Sequence, residues 1–242
     1  MELTLRSLSC ADAERVSRSL EKLSRHDTRN WAVTGGLALE AFSLHVGAEP
    51  CVRPLNDLDF VAFAFEQLPQ SLSEDFLFRH IHPQAAPGQV MLQLIDPEAA
   101  LRIDVFRASQ GTMHRAIHLA PPEPAMYIVS LEDLVARGAR VVLSLAEGIP
   151  VPSKHARDYL FAAGLADQRR VETAWQDHRK PEHPMTFREA DALLRDLVRT
   201  QAHLLITPSY SKDPGEVCPR CAPTGALQLA DPRLVLSLLG YC

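Results

Sequence analysis

No stretch of this chain approaches the ~20 consecutive apolar residues that a membrane-spanning helix requires. Its first ten residues, MELTLRSLSC, lack the sustained apolar core of a secretory signal. Cysteine is scarce and odd in number, five in 242 residues, so without an export signal a disulfide framework is not expected. These absences set the expectation of a cytoplasmic chain with reduced thiols and no membrane partner. A cationic surplus is missing as well. The net charge of -5 argues against a broad, sequence-independent nucleic-acid binder, which needs a basic footprint to displace phosphate counterions. No DNA partner is expected, although one small basic cleft is compatible with that balance. Neither an internal repeat nor a low-complexity tract is present.

What remains has the composition of a globular protein. Hydrophobic residues make up 46% and charged residues 23%, so disorder is not the default, and the length allows one large domain or two modest ones. Residues 10–25 place Ala13, Val16, Leu20 and Leu23 at helical spacing. A short apolar run at 30–34 ends in Gly35 and Gly36 and reads as a strand and a turn. A helix over 37–46 follows, with Gly47 placed to end it. Residues 48–56 hold two prolines and read as a loop, and 57–65 alternate as a strand. Further strands are expected at 77–82, 89–95 and 101–108, and an extended, proline-broken stretch at 114–128.

From there the pattern turns helical. Ser130 is placed to cap a helix over 130–147, with Asp133 in capping-box position. Helices over 153–163 and 186–200 follow, the latter opened by Thr186 with Glu189 three residues on. The charged tract 169–183 reads as a solvated segment. Strands first and helices second predict an α/β half over 1–125 and a mainly helical half over 126–242, with a cysteine-bearing tail.

The chemistry lies in the order Thr34-Gly35-Gly36, Arg53, Asp57-Leu58-Asp59 and Arg102-Ile103-Asp104. Side chains alternate along a strand, so Asp57 and Asp59 share one face while Leu58 enters the core. Two such carboxylates repel each other, and nothing structural favours the pair without a cation. Asp104, between Ile103 and Val105 on another apolar strand, adds a third. Three carboxylates together make a hard oxygen site suited to Mg²⁺ or Mn²⁺. Glycines where a strand enters a helix let phosphate approach the helix N-terminus and its unpaired N–H groups.

WAVTGGLALEAF followed by RPLNDLDFVAF and LRIDVF resembles the nucleotidyltransferases of the DNA polymerase β-like superfamily, in particular the aminoglycoside, lincosamide and toxin-type enzymes. The resemblance covers residues 31–142. It implies a polymerase β-like mixed sheet with flanking helices, and metal-dependent transfer of a nucleoside monophosphate from a nucleoside triphosphate such as ATP to an acceptor hydroxyl. It implies that Asp57 and Asp59 bind the catalytic metals and that Asp104 completes the site and serves as general base. Gly35 and Gly36 would hold phosphates. The later helix PSKHARDYL resembles a Lys/Arg-rich helix of the same families, so Lys154 would reach the triphosphate, supported by Arg157 and Asp158. The acceptor is a small molecule, RNA or protein, with a small molecule favoured.

Simpler readings stand beside these. Arg53 is equally a surface residue or a phosphate ligand, and Lys154 equally a solvated helix residue or a triphosphate contact. Cys218 and Cys221 have knuckle spacing for a structural Zn²⁺, completed by Cys242, Cys10 or His203, but free or redox-active thiols explain them too. His80, His82, His114 and His118 fit exposed histidines better than metal ligands. The whole chain can also be read as a non-catalytic nucleotide-binding or regulatory protein that keeps the fold.

Overall fold

The computed structural model describes residues 5–47, 57–64, 68–81, 92–119, 126–208 and 228–229, with backbone alone at 79–81 and 228–229. Its contacts divide the chain into two units, one of residues 1–108, 117–128 and 210–242 and the other of residues 109–116 and 129–209.

The first unit opens with α1 (Cys10–Ser24), capped by Ser9, whose Oγ accepts from the Asp12 N–H at 3.1 Å. The expected apolar stripe is partly replaced. Val16 and Leu23 are buried as anticipated, but Ser19 and Lys22 are buried with them, while Ala13 and Leu20 are only half-buried. The cause is Asp96, a fully buried carboxylate that accepts from Ser19 Oγ at 2.7 Å and from Lys22 Nζ at 2.8 Å. A buried charge must be paired, so the helix spends two positions of its inner face on one carboxylate.

Next come β1 (Trp31–Thr34), α2 (Gly35–His45), β2 (Asp57–Ala62), the short α3 (Leu72–Asp75), β3 (Leu77–Ile81), β4 (Leu92–Asp96) and β5 (Leu101–Arg107). Then α4 (Thr112–Arg115), which belongs to the second unit, precedes the two-residue strands β6 (Ile117–His118) and β7 (Tyr127–Ile128) of the first. In the second unit α5 (Leu131–Val142) continues as a 3₁₀ turn over Leu143–Glu147. It is followed by β8 (Val151–Pro152), α6 (Ser153–Leu165), α7 (Gln168–His178), α8 (Phe187–Thr200) and β9 (Leu205–Ile206), and β10 (Gln228–Leu229) returns to the first unit.

Among the described residues, eight strands form one mixed sheet in the order β10-β3-β4-β5-β2-β1-β7-β6. β2 runs parallel to β5 and antiparallel to β1, and β4 is antiparallel to both β3 and β5. Leu58, Phe60, Leu92, Leu94, Ile103 and Val105 are all 1% exposed or less and form the apolar face of the central strands. β2 stops at Ala62, short of the expected Phe65, and Phe63 beyond it is exposed.

The second unit is mainly helical, with α5 packed against α6, α7 and α8 and a two-stranded β8–β9 sheet beside them. Thr186 and Glu189 close the expected capping box, through bonds of 3.2 and 3.1 Å to each other's backbone N–H. The charged tract is corrected. Instead of a solvated segment, α7 buries Val171, Ala174, Trp175 and His178 along one stripe. Trp175 is wholly buried, stacks on His183 at 5.8 Å and donates from Nε1 to the Pro184 carbonyl at 3.0 Å.

Candidate active site

The alternation of β2 and β5 decides which side chains meet. With Leu58 and Phe60 in the core, Asp57 and Asp59 emerge on the opposite face; with Ile103 and Val105 in the core, Arg102 and Asp104 do the same. The parallel register sets Asp57 beside Arg102 and Asp59 beside Asp104. The antiparallel neighbours extend the second row, with Thr34 beside Asp59 and Gln93 beside Asp104. One face thus carries Thr34, Asp59, Asp104 and Gln93 side by side on four adjacent strands, and the three carboxylates singled out from the sequence stand together.

They are not left to repel one another. Arg102 Nη2 pairs with Asp57 Oδ2, and Arg102 Nε lies 3.3 Å from Asp104 Oδ1. Burial alone would lower the Arg102 guanidinium, but the charges of Asp104 and Asp57, with Asp59 behind them, outweigh it and hold Arg102 above its ordinary value. Gln93 Nε2 donates to Asp104 Oδ1 at 2.9 Å and fixes that buried carboxylate. Sequence reasoning missed both partners. The signal for Arg102 was present, because a residue two before Asp104 on a strand must share its face; Gln93 becomes visible only once the β4–β5 register is known.

Gly35 opens α2 directly after β1, two residues earlier than the helix expected from 37. Its φ of +67° is left-handed, and a Cβ placed on it would stand 2.0 Å from Asp59 Oδ2. The glycine is therefore needed twice: for the turn of the backbone, and for the passage of the Asp59 carboxylate against it. Gly36 is exposed, with nothing within 4 Å of a Cβ placed there. The N-cap Thr34 makes no side-chain capping bond and the first turn of α2 has no acidic residue. The N-terminal N–H groups of a helix favour an anion. The donor set fits a divalent cation: three hard carboxylates share one face, one of them packed tightly enough on Gly35 to exclude any side chain, and a guanidinium charge already lies among them.

Lys154 belongs to the second unit, where it is the half-buried second residue of α6. Arg53, His82, Cys218, Cys221 and Cys242 lie outside the described residues, as does the side chain of His80. Cys10 is an exposed free thiol. His114 and His118 are exposed, the latter edge-on to Tyr127 at 5.3 Å. One further group of ligand-type residues occurs among the described residues, Glu147, Glu182 and His183, with ligand atoms within 4.8 Å of one another. Its charge is already met: Lys180 Nζ lies 3.6 Å from Glu147 and 3.5 Å from Glu182, and His183 Nδ1 accepts from the Lys180 N–H at 3.2 Å.

No family model matches this sequence, and no curated protein matches it. Among solved structures, the chain is similar to an antigenic nucleotidyltransferase-like protein from Paracoccidioides brasiliensis, at 19% identity and a TM-score of 0.42, over 82% of this chain and 94% of that one. It is also similar to a putative nucleotidyltransferase from H. pylori, at 10% identity and a TM-score of 0.29, over 80% of this chain and 96% of that one. The fold itself is a mixed α/β sheet with flanking helices, with a Gly-Gly turn at the head of α2, an Asp-x-Asp strand beside it and a third aspartate in register on the next strand.

Proposed function

We propose that this protein transfers a nucleoside monophosphate from a nucleoside triphosphate to an acceptor hydroxyl, with release of pyrophosphate. The observation that carries the reading is the register of β2 and β5, which gathers Asp57, Asp59 and Asp104 on one sheet face beside the N-terminus of α2. Asp57 and Asp59 would hold Mg²⁺ or Mn²⁺, which would supply neutralisation of the triphosphate and of the charge that develops during transfer. The backbone at Gly35 and Gly36 offers N–H donors to phosphate oxygens, and the absence of a side chain on Gly36 leaves that approach open. Asp104, held by Gln93, lies toward the acceptor and takes the proton of its hydroxyl as the oxygen attacks the α-phosphorus.

One observation favours a second reading, a nucleotide-binding protein without transferase activity: Arg102 already neutralises part of the carboxylate cluster. The deciding experiment incubates purified protein, Mg²⁺ and each labelled nucleoside triphosphate with pools of metabolites, RNA or protein, and follows label by mass spectrometry and pyrophosphate by enzymatic assay. Label on an acceptor hydroxyl together with pyrophosphate supports transfer and identifies the acceptor. Metal-dependent nucleotide binding with no transfer to any pool supports the second reading.

A further inference from the structure

Arg102 is placed where a cation is wanted. It springs from the same strand as Asp104, two residues before it and on the same face, and the parallel register sets it beside Asp57. Its guanidinium pairs with Asp57 Oδ2, stands 3.3 Å from Asp104 Oδ1 and feels the charge of Asp59. Its buried Nε nevertheless lacks a well-aligned hydrogen-bond acceptor. The guanidinium is thus held by one hydrogen bond, from Nη2 to Asp57, and otherwise by charge, and a compact cation that coordinates the same oxygens can displace it. Its side chain is 23% exposed, so it has an outward path.

We propose that Arg102 is a built-in counter-cation of the carboxylate cluster, which competes with the divalent metal and yields Asp57 to it only when a triphosphate arrives. This rests on the metal-site reading of Asp57, Asp59 and Asp104. Without nucleotide, guanidinium and metal compete for Asp57, and two like charges in one cluster oppose each other. A triphosphate changes the balance in two ways. It brings metal with it, and its oxygens give the released guanidinium a planar, multidentate partner at least as good as the carboxylate. Metal and nucleotide binding are therefore coupled through one side chain, and such coupling is reciprocal. The device keeps the acid cluster from holding free metal and confines an assembled site to the nucleotide-loaded protein.

The test measures Mn²⁺ binding, by electron paramagnetic resonance of free Mn²⁺, to wild type, Arg102→Gln, Arg102→Lys and Asp59→Asn, alone and with a non-hydrolysable triphosphate analogue. Arg102→Gln should bind Mn²⁺ alone at least tenfold tighter than wild type, and the analogue should add less to its affinity. Arg102→Lys, which keeps the charge, should stay near wild type, and Asp59→Asn should lose the site. Melting curves give a second readout, because Arg102→Gln should melt low in chelator and recover with Mn²⁺ more than wild type does. Should the Gln variant not fold, Arg102→Met, which keeps the apolar stem, serves the same comparison. Equal Mn²⁺ affinity in wild type and Arg102→Gln, with Asp59→Asn defective, overturns the role of Arg102 alone. Absence of Mn²⁺ binding in every protein, with or without the analogue, overturns the metal site and this inference with it.

Discussion

The carboxylate of Asp59 lies against the backbone of Gly35 so closely that a Cβ there would stand 2.0 Å from Oδ2. The two residues belong to adjacent antiparallel strands and their continuation, since Asp59 pairs with Thr34, the residue before the glycine. The Gly-Gly turn and the Asp59 carboxylate are thus built as one packing unit. Moving either displaces the other.

Gly35→Ala should therefore fail for two reasons that Gly36→Ala does not share. The left-handed backbone costs an alanine about 1–2 kcal/mol, and its methyl group would push Asp59 out of line. Transfer activity should fall at least about a hundredfold, on the scale of losing one strong transition-state contact. Gly36→Ala meets open space at an ordinary helical position, so its melting temperature should hold or rise slightly. Thermal melts and label transfer on both variants check this. A Gly35→Ala protein as stable and active as wild type would show that the close approach has no consequence.

Much of this site is legible in the amino-acid sequence. Alternation alone puts Asp57 with Asp59 and both opposite Leu58, and the order of motifs draws in Asp104. What alternation cannot give is register, and register decides that Arg102 meets Asp57 and that Gln93 meets Asp104. Repulsion among bare carboxylates is therefore the wrong electrostatic picture. In α7 the buried stripe Val171, Ala174, Trp175 and His178 has helical spacing, but the many charged residues between hide it. Ser130 is an N-cap as its position implies, with Oγ accepting from the Asp133 N–H at 3.1 Å. The Asp133 side chain accepts from Ser130 Oγ at 2.6 Å and also reaches Arg115 and His178, long-range partners that no local motif announces.

Asp96 ties α1 to the end of β4, and its removal should be costly. Besides Ser19 and Lys22 it accepts from the N–H groups of Glu98 and Ala99, each at 3.0 Å. Burial pushes its carboxyl up, but Lys22 and these donors outweigh it and hold Asp96 below the usual carboxylate range. Asp96→Asn leaves Lys22 without its most buried partner, and breaking a buried pair costs about 3–5 kcal/mol. Glu98 still lies 2.8 Å from Lys22 Nζ, so the lower end of that range is expected in denaturant unfolding. A loss under about 1 kcal/mol would mean that the pair adds little.

His178 should make the protein acid-sensitive. It is buried between Asp133, 2.9 Å from its Nε2, and Ser109, 3.2 Å from its Nδ1, with Thr112 and Arg115 of α4 and Arg137 and Arg140 of α5 nearby. Burial pushes the imidazole below its ordinary value; Asp133 opposes that shift and the two α5 arginines reinforce it. The unfolded chain, titrating near about 6.5, therefore binds the proton more readily than the folded one, so stability is lost as pH falls below that value. Arg115, His178 and Ser130 hold Asp133 well below the carboxylate range despite burial, so its contribution is lost only in stronger acid. His183 is also lowered by burial and shares the effect. Melting temperature should drop between pH 7 and pH 5 in wild type and drop less steeply in His178→Gln. Parallel slopes would acquit His178.

Asparagine at Asp57, Asp59 or Asp104 separates an enzyme from a binding protein. Repulsion between bare carboxylates would make each change stabilising in the absence of metal. The structure reverses that sign for Asp57, whose oxygen pairs with Arg102. Asp57→Asn should lower stability slightly, by about 1 kcal/mol or less for a partly exposed pair. Asp104→Asn keeps an amide oxygen to accept from Gln93, so its fold should survive with little change. Transfer should fall by at least about 10²–10³-fold in all three, the scale of losing one strong electrostatic contact in the transition state. Nucleotide binding should divide them: Asp59→Asn should lose metal-dependent binding, whereas Asp104→Asn, whose proposed role is toward the acceptor, should retain more of it. Pyrophosphate release, label transfer and analogue binding on the four proteins, with circular dichroism as a folding control, give the answer. Equal transfer by wild type and variants would remove these carboxylates from catalysis, and analogue binding that survives in Asp59→Asn would remove the metal from nucleotide recognition.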